Sequence, residues 1–239
     1  MYSSVYDLKQ FYSSRLGRLV RRILQRKLRS LWPDLTGFSV LGLGYATPYL
    51  SSYTTEAERC FAFMPAGLGA HPWSNSDQEK SGNLVALAEN TELPLETNSI
   101  DRLLIIHSIE YAEMQKPNFQ ELWRVLKSNG RIIFIVPNRL GLWAGSDRTP
   151  FGHGTPYSTR QLSHALKDNY FVHERTEKAL FVPPTQMTIL HKGAGVFEKA
   201  GNIIFRGLSG VHIVEASKQV YAGIPGGMET IKPVVRGRR

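Results

Sequence analysis

The sequence predicts an α/β protein: a doubly wound, mostly parallel seven-stranded sheet with helices on both faces and a last strand that runs antiparallel. Three observations carry that expectation. Residues 38–50, FSVLGLGYATPYL, read as a short apolar strand, a tight turn on Gly42 and Gly44, and a helix opened by Thr47 and Pro48. Residues 100–106 and 131–136 (IDRLLII and RIIFIV) are almost continuously apolar, as strands covered on both faces must be. Between them, Phe119, Leu122, Trp123 and Leu126 recur at helical spacing over 117–127, so strand, helix and strand follow at the interval a parallel crossover needs.

In chain order, residues 7–32 come first. Leu8, Tyr12, Leu16, Leu19, Ile23, Leu24, Leu28 and Leu31 make one apolar stripe, and arginines fill much of the rest, which predicts a single long basic helix stopped by Pro33. Its stripe serves a core, or its basic face meets an anionic surface. The glycine turn of 42–44 aims backbone N–H groups above the sheet, a natural seat for a nucleotide-like ligand; it is equally how any tight turn is built. A helix over 48–57, a strand over 59–64, a turn-rich loop through Pro72 and Trp73, and a third strand over 83–87 follow. After 131–136 a polar loop over 141–157 leads to a helix over 158–167 capped by Ser158 or Thr159. Residues 170–181 read as a strand, 185–205 as a helical insertion, and 210–220 as the antiparallel strand. The domain organisation expected is a basic helix over 1–33 packed on the domain, a globular domain over 34–221, and a disordered basic tail over 222–239.

At 239 residues and 42% hydrophobic content the chain can bury one large core. One cysteine, Cys60, forms no internal disulfide, and no run reaches the roughly 18 apolar residues that span a bilayer, so a cytoplasmic protein is expected. The net charge of +9 favours acidic partners: nucleic acid, an anionic membrane surface, or a partner chain held by the basic helix. His71, His164, His173, His191 and His212 show no metal-ligand spacing with Cys60, which argues against a metal site.

Residues 89–139, ENTELPLETNSIDRLLIIHSIEYAEMQKPNFQELWRVLKSNGRIIFIVPNR, carry a more specific likeness. The ELP step at 92–94, the SID at 99–101, the LWRVLKSNGR helix exit and the VPN after the fifth strand occur together in order. They resemble the second half of a class I S-adenosylmethionine-dependent methyltransferase of the methyltransferase type 11 group, over about 38–138. The resemblance implies a Rossmann-like methyltransferase fold and S-adenosylmethionine as cofactor. It implies that Glu89 accepts from the adenine amino group, with Asn90 beside the ring. Gly44 would sit where the turn passes under the methionine part, Met64 where the ribose is gripped, with Gly42, Tyr45 and Pro65 as further cofactor-binding candidates, and His107 with Ser108 would line the place where cofactor and acceptor meet.

The likeness has departures. Where the family's opening motif carries an acid this chain has Gly42, with Ala46 and Pro48 in place of later glycines. Where the family grips the ribose hydroxyls with an acid, Met64 stands, followed by Pro65. Neither side chain accepts a hydrogen bond with strength. Methyl transfer asks mainly for alignment, plus a base where the acceptor carries a proton. Candidate catalytic residues are His107, Tyr111, His153 and Tyr157; Asn138 and Arg139 are candidates for the substrate. The loop 147–157, DRTPFGHGTPY, reads as a lid or as an ordinary turn-rich connection. Two functions remain open: a methyltransferase acting on an unidentified acceptor, or a non-catalytic methyltransferase-fold protein that binds a partner chain, RNA or anionic membrane through its basic surface.

Overall fold

The structure, a computed structural model, describes residues 4–74, 82–112, 115–185, 198 and 206–220. The elements are α1 (Val5–Ser13), α2 (Arg15–Leu31), β1 (Ser39–Gly44), α3 (Thr47–Leu50), β2 (Arg59–Met64), β3 (Val85–Leu87), β4 (Ile100–Ile106), α4 (Gln115–Val125), β5 (Leu126–Pro137), α5 (Thr159–Asp168), β6 (Phe171–Ala179) and β7 (Val211–Lys218). The strands form one seven-stranded sheet in the order β3-β2-β1-β4-β5-β7-β6. The pairs β3-β2, β2-β1, β1-β4 and β4-β5 are parallel, and β7 runs antiparallel to both β5 and β6. The predicted doubly wound sheet with its reversed last strand is the sheet that forms. Strand order turns around between β1 and β4, whose final residues Gly44 and Ile106 are register partners.

Side-chain alternation divides the core into two layers. Leu41, Leu43, Leu103, Ile105, Ile132 and Phe134 face α4 and α5, where they meet Phe119, Leu122, Leu162 and Leu166. Val40, Leu104, Ile106, Ile133 and Ile135 share the other layer with Leu8, Leu16, Leu24, Leu28 and Tyr49 of the first three helices. α5 begins where the capping signal placed it: the Ser158 hydroxyl accepts from Gln161 N while Gln161 reaches back to Ser158 N.

Three expectations are corrected. The single helix over 7–32 is two helices, because Ser14 leaves the helical region (φ −70°, ψ 165°), ends α1 and caps α2 by accepting from Gly17 N. The turn is so tight that a Cβ on Gly17 would lie 1.9 Å from the Phe11 carbonyl oxygen. The helix over 48–57 is only the turn Thr47–Leu50, preceded by Ala46 rather than capped by Thr47. Gln25 of α2 donates to the Tyr49 carbonyl and Arg29 to that of Ser52, taking two acceptors a longer helix would need. The fifth strand starts at Leu126, not Arg131: Ile100 pairs with Leu126 and Arg102 with Arg131, so residues 127–130 bulge out, tied back by Lys127 on Asp101 at 2.8 Å. The expected insertion over 185–205, apart from Thr185 and Glu198, and the tail over 222–239 lie outside the described residues.

Candidate active site

Ligands of doubly wound sheets bind beyond the carboxyl ends of the strands where strand order reverses, here above Gly44 and Ile106. Gly44 sits at φ +77°, and a Cβ there would come 2.2 Å from the Ile106 carbonyl oxygen. Tyr45 N donates to that same oxygen at 3.0 Å, which locks the turn onto the end of β4. Gly42, expected in the turn, lies instead inside β1 as the register partner of Ala62 and Leu104, and answers a different need. A Cβ at 42 would meet Ala46 and Leu50 at 2.6 Å, so the acid expected at this position is replaced by a glycine that lets α3 lie against β1.

A chain of buried polar groups converges on the reversal point. His107, 1% exposed and held at φ +54°, follows β4 directly. Its Nε2 lies 2.8 Å from the Tyr12 hydroxyl, and the Tyr49 hydroxyl donates to Tyr12 at 3.0 Å. Nδ1 faces Glu110 Oε1 at 3.4 Å, while the other Glu110 oxygen accepts from Ser108 N at 3.0 Å. Burial first, then Tyr49 beside it, raises the Tyr12 phenol well above its ordinary range, and burial pushes Tyr45 up to about 12. Tyr12 therefore keeps its proton and shares a hydrogen bond with Nε2, while Nδ1 and Glu110 Oε1 face each other, both buried and without a hydrogen-bond partner. The Tyr12 ring also stacks on Tyr45, centroids 5.6 Å apart and planes inclined by 26°. Beside the stack a cavity of about 260 Å³ is bounded by Lys9, Arg21, Tyr45, Thr47, His71 and Trp73.

Measured against the adenine, ribose and methionine positions that the sequence resemblance implies, the fit to S-adenosylmethionine differs along the cleft. At the adenine end, Asn90 Nδ2 donates to the Ser108 hydroxyl at 3.0 Å, and Asn90 Oδ1 is buried without a hydrogen-bond partner. An orphaned buried acceptor beside the exposed Glu89 suits an amino donor. At the ribose position Met64 is buried in the helix-side core and Pro65 supplies no carboxylate. At the methionine end the turn from Gly44 to Ala46 is overlaid by Tyr12.

The candidate acceptor residues separate into two groups. His107 is central to the cluster, and Tyr111 stands at its edge, its hydroxyl donating to the Pro150 carbonyl at 3.0 Å. Tyr157 is buried and donates to the Ile109 carbonyl at 3.4 Å. Asn138 donates to the Gly207 and Ser209 carbonyls and accepts from Leu140 N, so its amide braces the loop after β5. Arg139 is exposed, and His153 Nε2 lies 3.1 Å from the Asp147 carbonyl oxygen. The loop 147–157 is packed down: Phe151 is buried against His107, Trp143 and Phe11, and Thr155 N donates to the Glu110 carbonyl. Sequence reasoning missed Tyr12, which sat unremarked in the apolar stripe, and Glu110, whose spacing three residues after His107 was the available signal. Among the described residues no group of three or more His, Cys, Asp or Glu side chains could hold a metal ion.

This strand order, with its one reversed strand, is the Rossmann-like fold of the class I S-adenosylmethionine-dependent methyltransferases. Residues 42–134 match the family model described as a methyltransferase domain, in agreement with the resemblance read from the sequence. Solved structures agree in fold. A Thermotoga maritima protein, described as an S-adenosylmethionine-dependent methyltransferase and possible histamine N-methyltransferase, is 14% identical, with a TM-score of 0.59 over 90% of this chain and 96% of that one. The methyltransferase-side chain of a complex with the Haloferax volcanii Trm112 methyltransferase activator is 15% identical, with a TM-score of 0.61 over 90% and 98%. A geranyl diphosphate methyltransferase in complex with the cofactor is 14% identical, with a TM-score of 0.54 over 88% and 94%. No curated protein matches the chain in sequence. Among the described residues no helix is long and apolar enough to cross a membrane.

Proposed function

We propose that this protein transfers a methyl group from S-adenosylmethionine to an acceptor that carries an O–H or N–H, in the cleft above β1 and β4. The observation that carries the reading is His107 itself, a non-glycine residue at φ +54° at the strand-order reversal, set between a phenol and a buried carboxylate. Strained backbone of this kind persists where the surroundings over-determine it, and functional sites are where it gathers.

The cofactor, when bound, supplies an electrophilic methyl group on a sulfonium. Asn90 Oδ1 and Glu89 would take the adenine amino group, the turn from Gly44 to Ala46 would pass beneath, and Lys9 and Arg21 would offer positive charge to the carboxylate. His107 Nε2 receives the acceptor proton, and Glu110 stabilises the ring as it becomes cationic. The Tyr12 hydroxyl now occupies the point where an acceptor hydroxyl would hand over its proton, so α1 shifts for the site to fill. Outside the cleft, the exposed Arg15, Arg18, Arg22 and Arg26 of α2 are where an acidic partner or a second chain would bind.

A second reading, a scaffold without catalysis, draws on the Tyr12–Tyr45 stack and on Met64 in place of the ribose acid. Isothermal titration with S-adenosylmethionine and with its demethylated product separates the two. Binding in the micromolar to millimolar range, weakened at least tenfold by Asn90→Leu, is expected. Absence of binding at millimolar cofactor leaves the scaffold reading standing.

A further inference from the structure

Near the N-terminal end of β4, away from the cleft, a second cavity of about 400 Å³ opens among side chains the methyl-transfer reading does not use. A row of charges across four neighbouring strands lines it: Arg102 on β4, Arg131 on β5, Glu215 on β7 and Arg175 on β6. Arg102 and Arg131 are register partners on adjacent strands. Like charges directly opposite one another cost stability unless something negative is shared between them.

Glu215, 1% exposed, lies in the same row and sets one carboxylate against three guanidinium groups. Its Oε2 accepts from Arg175 Nε at 2.8 Å and lies 3.5 Å from Arg131, and its Oε1 accepts from Trp32 Nε1 at 2.9 Å. Arg102 donates from one terminal nitrogen to the Asp101 carbonyl and lays its guanidinium on the Phe38 ring at 4.2 Å; its Nε is buried without an acceptor. Burial, and then the neighbouring Arg131, lowers Arg102 from the usual guanidinium range. At the mouth, Asp34 accepts from Thr36 and Glu174 from the Ser217 hydroxyl, and both are exposed. Those carboxylates repel a long polyanion laid across the opening. A compact anion that passes them meets three guanidinium groups.

We propose that this cavity binds a compact oxyanion, a phosphate ion or the phosphate group of a small phosphomonoester, held by Arg102, Arg131 and Arg175. Guanidinium forks match phosphate oxygens pairwise, and a bound dianion turns the opposed arginines from a cost into a clamp.

The test is thermal unfolding of the full chain with inorganic phosphate, with glycerol 3-phosphate, and with sodium chloride at matched ionic strength. A saturable rise in midpoint with either phosphate and not with chloride is expected, the ligand with the lower half-saturation naming the source. Arg131→Gln, at a half-exposed position, relieves the like-charge opposition. It should unfold at a higher temperature without phosphate, yet need at least tenfold more phosphate for half the wild-type rise. Arg102→Gln should lose the response in the same way. An equal rise in chloride, or a wild-type phosphate response in both variants, overturns the proposal. Neither outcome bears on the cofactor titration, which reads the other end of the sheet.

Discussion

One added methyl group at Gly44 would have to fit within 2.2 Å of the Ile106 carbonyl oxygen, on a backbone at φ +77° that L residues resist. Gly44→Ala is therefore expected to destabilise the fold by about 2–4 kcal/mol, the range of a steric clash added to a left-handed strain. The check is a urea titration, where the midpoint should fall at unchanged slope. A shift within experimental error would mean that the β1 turn does not press on β4. That the chain turns at Gly44 between strand and helix was legible in the sequence, from a glycine set between an apolar run and a Thr-Pro pair; that Gly42, read as part of the same turn, belongs to β1 was not. Nor was the reason for glycine at 42. It depends on Ala46 and Leu50 arriving within 2.6 Å, a tertiary approach that leaves no trace in local pattern.

At the scale of elements, α1 is the part that decides whether the cleft works as a cleft. It presents Phe11 against Phe151 and Tyr12 against Tyr45, Tyr49 and His107, so the helix covers the turn that follows β1. The strands, apart from the start of β5, and the cap of α5 were readable, because continuous apolar runs and a serine before a helical pattern are local signals. The break at Ser14 was hidden by the apolar stripe, which continues through it at helical spacing. With the break went the knowledge that α1 and α2 are separate bodies and that the first reaches over the sheet. If α1 gates the site, Tyr12→Ala should bind S-adenosylmethionine about tenfold more tightly, since a binding-competent arrangement then costs roughly 1.4 kcal/mol less to reach. The same change should lower stability by about 3 kcal/mol through lost aromatic burial. Paired calorimetry and urea titrations check both. Weaker cofactor binding by the variant would show that Tyr12 holds the ligand instead of standing in its way.

For the molecule as a whole, stability should depend on pH through a histidine outside the cluster of Tyr12, His107 and Glu110. His212 is 3% exposed on β7, paired with Val136 on one side and Lys178 on the other, and its Nδ1 is buried without a partner. Burial, with a smaller contribution from Lys178, depresses its pKa to about 4 from 6.5. The unfolded chain therefore binds a proton near pH 6.5 that the folded chain refuses until about 4. Between those values the unfolded state holds more protons, so unfolding free energy rises with pH; acidification from 6.5 to 4 removes it progressively, by up to roughly 3 kcal/mol. Other groups act outside or against this window. Glu121, held low by Arg124, loses its contribution only as pH falls below the ordinary carboxylate range, and Glu198, raised by burial, gains on acidification. A single profile mixes these effects, and a difference between two proteins isolates one of them. His212→Leu keeps an apolar side chain of similar bulk in β7 and should match wild type within about 1 kcal/mol at pH 7.5. From pH 6.5 to 4 the wild type should fall below the variant by a growing margin, read by urea titration at each pH. Parallel profiles would mean that His212 takes up its proton in the folded sheet as readily as in the open chain, and that this strand carries no linkage between acid and unfolding.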